Sequence, residues 1–307
     1  MDLVLPMSGN YVVAVSGGVD SVVLLHRLMQ LNAERRAASD GAKPLRLVVA
    51  HYDHGIRENS ADDKVFVEEL AKGYGVPFVH DSGQLGAGAS EADARTARYG
   101  FLRKVRRASG AQALITAHHQ DDALETAIFN LMRGTGRKGL TALSSHPAII
   151  RPLLSVPKRD IIAYARDQGL RWSEDSTNRN QRYTRNYIRH TLLSRFSDQD
   201  RQRLWEILAR LRSVNHELDS LLINQLHQQS VGGALDRVWF NHLPHAVARE
   251  VMATWLRAHD VRGFDSKALE RLVVAAKVSQ SGKRIDVAQG VVLLVGDDVL
   301  ALTEPER

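Results

Sequence analysis

Short apolar runs alternate with segments of helical periodicity over the first half of the chain. The apolar runs predict buried strands, because their residues do not alternate with polar positions. Strands that alternate with helices are typical of an α/β fold with a doubly wound, mostly parallel sheet. The predicted strands cover residues 11–15, 45–50, 76–79 and 113–117, and helices are predicted after Gly18 and over 61–74, 90–109 and 118–132.

The pattern changes beyond Pro157. Polar and helical segments follow, with long helices predicted at 158–168, 198–229, 240–260 and 266–277 and short strands within 282–303. The change of character predicts a boundary near residue 215. We therefore expect a catalytic domain over 1–215 and a small, mostly helical domain over 216–307.

Composition is ordinary for a globular protein, with 44% hydrophobic and 25% charged residues. No apolar run approaches the roughly 20 residues that span a bilayer, and the N-terminus lacks a secretory pattern, so we expect a cytoplasmic protein without membrane contact. The absence of cysteine excludes disulfides, thiolate zinc sites and iron–sulfur clusters. A net charge of +6 permits a polyanionic partner.

The hexapeptide SGGVDS at residues 16–21 lies between a predicted strand and its helix. Glycines let the backbone approach a ligand closely, and a helix N-terminus attracts anions. Asp20 beside a phosphate suggests a Mg²⁺ ion between them. The segment lacks the lysine of a Walker loop. The alternative is a glycine turn with Asp20 as a helix cap.

This hexapeptide resembles the pyrophosphatase loop of the N-type ATP pyrophosphatases, which split ATP into AMP and pyrophosphate. The resemblance implies ATP as a substrate and Mg²⁺ held by Asp20. It implies ATP-binding roles for Ser16, Gly17, Gly18, Val19, Asp20 and Ser21. His51 and His54 follow the second predicted strand at the edge where such sheets bind ligands, so they are expected to contact the nucleotide. Ordinary loop histidines are the alternative.

Further segments resemble the tRNA(Ile)-lysidine synthetases, in the same order along residues 10–190. They are HYDHGIR at 51–57, ARTARY at 94–99, TAHHQDDALET at 116–126, RGTG at 133–136 and RPLL at 151–154. The resemblance implies a ligase that forms a C–N bond between lysine and C2 of cytidine 34 in tRNA(Ile) with a CAU anticodon. An adenylated cytidine is the implied intermediate, and AMP and pyrophosphate are released. Some members carry a further C-terminal domain, so this chain is expected to be a short form.

His118, Asp122 and Glu125 are separated by four and three residues, which predicts one helix face. Two carboxylates there suit an ammonium group or a metal ion. A lysine amine must lose its proton before it can attack, since its pKa is near 10.4, and a carboxylate can assist. A solvated helix face is the alternative.

Arg98 lies in the predicted third helix, where its guanidinium suits a phosphate or the lysine carboxylate. A surface ion pair is the alternative. The resemblance favours a functional role. The predicted lysine-binding residues are Arg98, Asp122 and Glu125, and the predicted catalytic residues are Asp20, Arg98, Asp122 and Glu125.

Two basic segments predict contact with RNA. Arginines recur three and four residues apart over 182–189, with Tyr183 and Tyr187 interleaved for base stacking. The glycine-rich loop RGTGRKG at 133–139 offers further positive charge, either to RNA phosphate or to the departing pyrophosphate. A solvated helix face is the alternative. The predicted RNA-binding residues are Arg133, Arg137, Lys138, Arg182, Arg185 and Arg189.

Three other functions compete with a lysidine synthetase. A sulfur transferase such as 2-thiocytidine synthetase is expected to need cysteines, which are absent. An amidotransferase-type member such as NAD synthetase leaves the basic segment and the second domain unexplained. A catalytically silent RNA-binding or nucleotide-sensing protein does not need the intact loop and carboxylates. A homodimer and the tRNA contacts of the second domain stay open.

Overall fold

The computed structural model describes residues 3, 8–38, 43–53, 55, 60–83, 91–173 and 184–303. Contacts divide the chain into two compact units, Met1–Ala209 and Arg210–Arg307. The domain boundary proposed near residue 215 falls just beyond this division. Within the described ranges, no helix is both long and apolar enough to cross a membrane.

The first unit is built from five strands and the helices that connect them. The strands are β1 (Asn10–Ala14), β2 (Arg46–Asp53), β3 (Phe78–Ser82), β4 (Ala113–Ile115) and β5 (Ile149–Ile150). The helices are α1 (Val19–Ala37), α2 (Ser60–Gly73), α3 (Glu91–Ala108), α4 (Gln120–Met132), α5 (Arg137–Leu140), α6 (Lys158–Asp167) and α7 (Thr184–Tyr187). A π-helical turn (Ile188–Leu192) and a 3₁₀ turn (Leu193–Arg195) follow α7, and α8 (Asp198–Gln228) continues into the second unit.

The five strands form a parallel sheet in the order β3-β2-β1-β4-β5. The chain moves outward from β1 to β3 and then returns to the other side of β1, so the order reverses between β1 and β4. Ligands bind outside the carboxyl ends of parallel strands at such a reversal. The loop after β1 and the loop after β4 therefore border the expected site.

Both faces of this sheet are covered by helices, as the non-alternating strand runs predict. One face packs Val13 and Ile115 against α1 and α6, with Leu25 and Ile161 fully buried. The opposite face packs the strands against α3, where Leu102 is buried. Two covered faces hold the loops at the carboxyl edge of the sheet on a rigid base.

The predicted doubly wound parallel sheet is confirmed, with some differences in its elements. Strand β3 begins at Phe78 rather than at residue 76, because Pro77 has no N–H to donate to a neighbouring strand. Strand β5 was not predicted, since its two residues show no periodicity. Helix α4 begins at Gln120, so His118 precedes the helix rather than lying in it.

The second unit contains more strand than the sequence predicts. Its elements after α8 are β6 (Ser230–Val231), β7 (Ala234–Asp236), α9 (Arg237–His242), α10 (His245–Ala258), α11 (Ser266–Val278), β8 (Lys283–Ala288), β9 (Val291–Val295) and β10 (Val299–Thr303). The strands form an antiparallel sheet in the order β6-β7-β10-β9-β8. The expected mostly helical domain is confirmed, and its helices pack with this five-stranded sheet.

The helix predicted over 240–260 is two helices in the structure. Helix α9 ends at His242, and Pro244 is the N-cap of α10. Proline disfavours helical backbone in the residue before it and is well tolerated at a helix start. The apolar periodicity continues across this break, which explains why the sequence predicts one helix.

Candidate active site

A cavity of about 460 Å³ opens at the carboxyl edge of the parallel sheet. From the loop after β1 it is lined by Ser16, Gly18, Asp20 and Ser21. From other elements it is lined by the predicted residues His51, Arg98 and Asp122, and by Tyr99, Thr116 and Ser173, which were not predicted. The structure thus brings together most of the residues that the sequence predicts for ATP and lysine.

The loop after β1 is held open by its own hydrogen bonds. The Ser21 hydroxyl donates to the Gly18 carbonyl over 2.9 Å, and the Ser16 N–H donates to the Ser21 hydroxyl over 3.2 Å. Gly17 has a φ of +93°, a conformation that favours glycine. Gly17 does not line the cavity, and the Val19 side chain is buried in the core. Their place in an ATP site therefore concerns the backbone.

Asp20 is surrounded by cationic and histidine side chains. The Lys158 ammonium donates to both carboxylate oxygens, over 2.6 and 2.7 Å. His119 Nε2 lies 3.8 Å from the same carboxylate. Within the described residues, no group of three or more histidine or acidic side chains could hold a metal. A single carboxylate fits Mg²⁺, which protein sites commonly hold by one or two carboxylates together with substrate phosphates.

His51 is buried at the base of the cavity, with 3% of its surface exposed. Its Nδ1 lies 2.9 Å from the Val15 carbonyl oxygen. A carbonyl oxygen only accepts, so Nδ1 carries the hydrogen and the ring orientation is fixed. This places His51 beside the loop after β1, the position at which the sequence predicts a nucleotide contact. His54 lies outside the described residues.

Asp122 and Glu125 lie one turn apart on α4 and share a cation. Arg189 Nη2 lies 2.7 Å from Glu125 Oε2 and 3.2 Å from Asp122 Oδ1. Glu125 is buried, whereas Asp122 lines the cavity. The two carboxylates are therefore paired as predicted, but with an arginine of the same chain.

The two carboxyl groups differ in their acidity. Burial raises the pKa of Glu125 above its ordinary value, although Arg189 opposes the change. Burial also acts to raise the pKa of Asp122, but His119, through its ring and a hydrogen bond from its N–H, and the charge of Arg189 lower it. Asp122 therefore stays an anion, while Glu125 is the better proton acceptor.

His118 lies in the connection between β4 and α4, so the shared helix face predicted for it with Asp122 and Glu125 is wrong. It still lines the cavity, and its Nδ1 lies 2.9 Å from the Thr116 hydroxyl. Burial lowers the pKa of His118 to about 3, against the opposing charge of Asp122. His118 is therefore a neutral hydrogen-bonding group rather than a cation.

Arg98 lines the cavity from α3, next to an unusual aromatic ring. The guanidinium carbons of Arg95, Arg98 and Arg103 lie 4.8, 5.5 and 6.0 Å from the centre of the buried Tyr99 ring. Cations gather over a ring face because of its quadrupole. The cluster makes this side of the cavity positive, which suits an anion at Arg98.

The described members of the predicted RNA-binding set belong to several elements of the first unit. Arg133 and Arg185 lie 5.4 and 5.3 Å from the centre of the Phe129 ring, and Arg137 and Lys138 belong to the short helix α5. Arg189 differs from the prediction, because its guanidinium is directed to the carboxylates of α4. Arg182 and Tyr183 lie outside the described residues.

The sequence did not indicate that Lys158 forms an ion pair with Asp20. It lies 138 residues from Asp20 and follows Pro157 at the start of α6. A helix start after a parallel strand was the available signal, because such helices begin at the carboxyl edge of the sheet. That signal requires strand β5, which was too short to predict.

Known proteins resemble this chain in sequence and in fold. The tRNA(Ile)-lysidine synthase of Solibacter usitatus is 33% identical over 288 residues, which cover 90% of this chain and 63% of that protein. The tRNA(Ile)-lysidine synthase of Geobacter sulfurreducens is 41% identical over 192 residues, which cover 59% of this chain and 39% of that protein. This chain spans less than two thirds of the length of these curated relatives.

Among solved structures, the U34-tRNA thiolase NcsA from Methanococcus maripaludis with its [4Fe-4S] cluster matches with a TM-score of 0.54. The two proteins are 15% identical, and the match covers 68% of this chain and 74% of the thiolase. At this identity the likeness concerns the fold alone. The PP-loop domain family matches residues 6–196, which include the parallel sheet and the residues around the cavity. Since this match covers more than half of the chain, the protein belongs to the PP-loop domain family.

Proposed function

We propose that this protein is an ATP-dependent ligase that joins lysine to C2 of cytidine 34 in tRNA(Ile) with a CAU anticodon. One observation carries the proposal: the phosphate loop and a cation-binding carboxylate, Asp122, line the same cavity. A nucleotide and an amine can therefore be held side by side. Two relatives of this chain are tRNA(Ile)-lysidine synthases, which supports the proposal.

In the first step, O2 of the cytidine attacks the α-phosphate of ATP, and the bond to the β-phosphate breaks with its electron pair leaving on pyrophosphate. The N-terminus of α1 and the loop hydroxyls stabilise this charge. Asp20 would hold Mg²⁺, which when bound supplies positive charge to the phosphates. Arg98, across the cavity, is suited to the anionic intermediate.

In the second step, the ε-amine of lysine attacks C2 and AMP leaves with the C2–O2 bond electrons. Asp122 faces the cavity and binds the ammonium form, and Glu125 accepts a proton as the amine becomes a nucleophile. Arg189 now fills the space between the two carboxylates. It keeps them ionised and correctly oriented until the substrate ammonium shares them.

The basic residues around Phe129 are the proposed contact with tRNA in the first unit. Arg133 is exposed, and Arg185 lies over the same ring. Positive charge on this scale supports binding to phosphate without base specificity. We place the activity in the cytoplasm, where tRNA and ATP are available.

A sulfur transferase is the strongest competing function because the matching solved structure is a tRNA thiolase. That protein carries a [4Fe-4S] cluster, and protein clusters are held by cysteine thiolates. The 307 residues of this chain contain no cysteine. The carboxylate pair of α4 favours an amine as the nucleophile.

The test is incorporation of labelled lysine into unmodified tRNA(Ile) with a CAU anticodon, in the presence of ATP and Mg²⁺. Methionine tRNA, which shares the anticodon, is the substrate control. Asp122→Asn should abolish lysine incorporation but keep pyrophosphate release, because adenylation precedes the use of lysine. Asp160→Asn is the matched control, since this exposed carboxylate on α6 does not line the cavity.

ATP-dependent incorporation into tRNA(Ile) alone supports the proposal. Incorporation that survives in Asp122→Asn contradicts the role of the carboxylate. Pyrophosphate release that needs another nucleophile, with no lysine incorporated by the wild type, contradicts the substrate assignment and leaves only an ATP pyrophosphatase.

A further inference from the structure

Three helices begin around the Asp20 carboxylate. Asp20 lies in the first turn of α1, His119 is the N-cap of α4, and Lys158 is the first residue of α6. Their side chains meet at Asp20, with distances of 3.8 Å from His119 and 2.6 Å from Lys158. Each helix N-terminus carries about half a positive charge. The N-terminus of α4 is capped by Asp122, whose Oδ2 accepts from the His119 N–H over 3.0 Å, so Asp20 itself faces Lys158 and the N-termini of α1 and α6.

Lys158 occupies a position that is electrostatically unfavourable for a cation. Basic residues are destabilising at a helix N-terminus because of the helix dipole. The N-caps of α1 and α6 are Gly18 and Pro157, and neither provides a side-chain cap. Asp20 and Asp160 are the acidic residues of the two first turns. Asp20, whose carboxylate oxygens accept from the Lys158 ammonium group, is the one that lines the cavity, so a lysine at the first position of α6 fits a site that receives an additional anion.

The Lys158 side chain is able to move between two anions. Its ammonium group sits on a flexible four-carbon stem, and 31% of the side chain is exposed. Asp20, its present partner, lines the cavity beside the phosphate loop. An anion bound at the loop would therefore offer the same ammonium group a second partner near Asp20.

We propose that Lys158 binds the β- and γ-phosphates of ATP, and later the departing pyrophosphate, by transferring its ammonium group from Asp20 to the phosphate oxygens. The transfer releases Asp20 to hold Mg²⁺. Without nucleotide, Lys158 neutralises Asp20. This inference rests on the proposed function for the presence of ATP, but it concerns a binding step that is measured without tRNA or lysine.

The proposal predicts which ligands lose affinity when Lys158 is replaced. Lys158→Met should weaken binding of ATP and of pyrophosphate, each with Mg²⁺, by about 10- to 100-fold, since one charge-assisted hydrogen bond is lost. Binding of AMP, which lacks both phosphates, should change less than about twofold, because Lys158 makes no contact with it. Lys158→Arg should retain most of the affinity for ATP, because a guanidinium also binds phosphate.

The competition for Asp20 gives a second readout. In calorimetric titrations without nucleotide, Lys158→Met should bind Mg²⁺ several-fold more tightly than the wild type, because the lysine no longer competes for the carboxylate. Arg159→Met is the matched control, since this neighbouring cation on α6 pairs with Asp160 and Asp198 instead. It should leave all these affinities unchanged.

Isothermal titration calorimetry of the full chain with ATP, pyrophosphate and AMP measures these effects. A selective loss of ATP and pyrophosphate affinity in Lys158→Met, restored in Lys158→Arg, supports the proposal. An equal loss for AMP shows a structural role and overturns it, as do unchanged affinities or a wild type that does not bind pyrophosphate. A wild type that binds ATP with Mg²⁺ but incorporates no lysine contradicts the ligase proposal and leaves the Lys158 inference standing.

Discussion

Replacing Arg189 by methionine should destabilise the first unit in a manner that depends on pH. Removing one partner of a fully buried ion pair costs about 3–5 kcal/mol, whereas an exposed pair contributes at most about 1 kcal/mol. The Glu125 side chain is 6% exposed and that of Arg189 is 39% exposed. We therefore expect a loss of about 2–3 kcal/mol at pH 8.

The pH dependence follows from the acidity of Glu125. Its pKa is already raised above 4.5 by burial, and without Arg189 it should rise further. A carboxyl group with a raised folded-state pKa stabilises fully below its unfolded-state value, and this contribution is lost as the pH rises through the folded-state value. The penalty of Arg189→Met should therefore be smaller at pH 5 than at pH 8.

Urea unfolding followed by circular dichroism at the two pH values measures these free energies of unfolding. Glu125→Gln in the Arg189→Met background should recover part of the loss at pH 8, because the unpaired charge is removed. Arg185→Met is the matched control, since this arginine lies over the Phe129 ring one turn earlier. A penalty below about 0.5 kcal/mol, the range of ordinary surface substitutions, or one that is equal at both pH values, would refute the reasoning.

Three other predictions concern stability. Gly17→Ala should cost about 1–2 kcal/mol in urea unfolding because of its φ of +93°, whereas Gly136→Ala, at a φ of −72°, should not. His118 has a folded-state pKa of about 3, so stability falls as the pH drops from 6.5 toward 3; melting curves of His118→Gln should show a shallower fall. Arg237 donates to three backbone carbonyls and is buried, so Arg237→Met should cost about 3–5 kcal/mol, and an unchanged urea midpoint contradicts this.

Local patterns in the sequence predict the parallel sheet and the phosphate loop. A strand, a glycine turn and a helix lie within 28 residues of one another from Asn10 to Ala37, so their signals need no distant partner. The position of the cavity can also be predicted, because ligands bind to the loops that follow the carboxyl ends of parallel strands. The same reasoning predicts Asp20, His51 and Asp122 at one site, where the structure places them.

The ion pairs of the site could not be predicted in this way. Lys158 and Asp20 are 138 residues apart, and Arg189 and Glu125 are 64 residues apart. The spacing of arginines near residue 189 predicts an outward basic face, because periodicity shows which residues share a side and not what that side contacts. A π-helical turn at Ile188–Leu192 also changes the spacing there. The partners of Lys158 and Arg189 depend on tertiary contacts, which local sequence patterns do not reveal.

The bond from Arg189 back to α4 has a consequence for dissecting the protein. A fragment that stops after α6 keeps all five strands of the parallel sheet and the whole phosphate loop. However, this fragment leaves two carboxylates on α4 without their counter-ion. The segment from residue 184 to 195 adds no strand to the parallel sheet, yet its Arg189 pairs with Asp122, which lines the cavity. The shortest fragment of the first unit that keeps both ion pairs must therefore extend past Arg189.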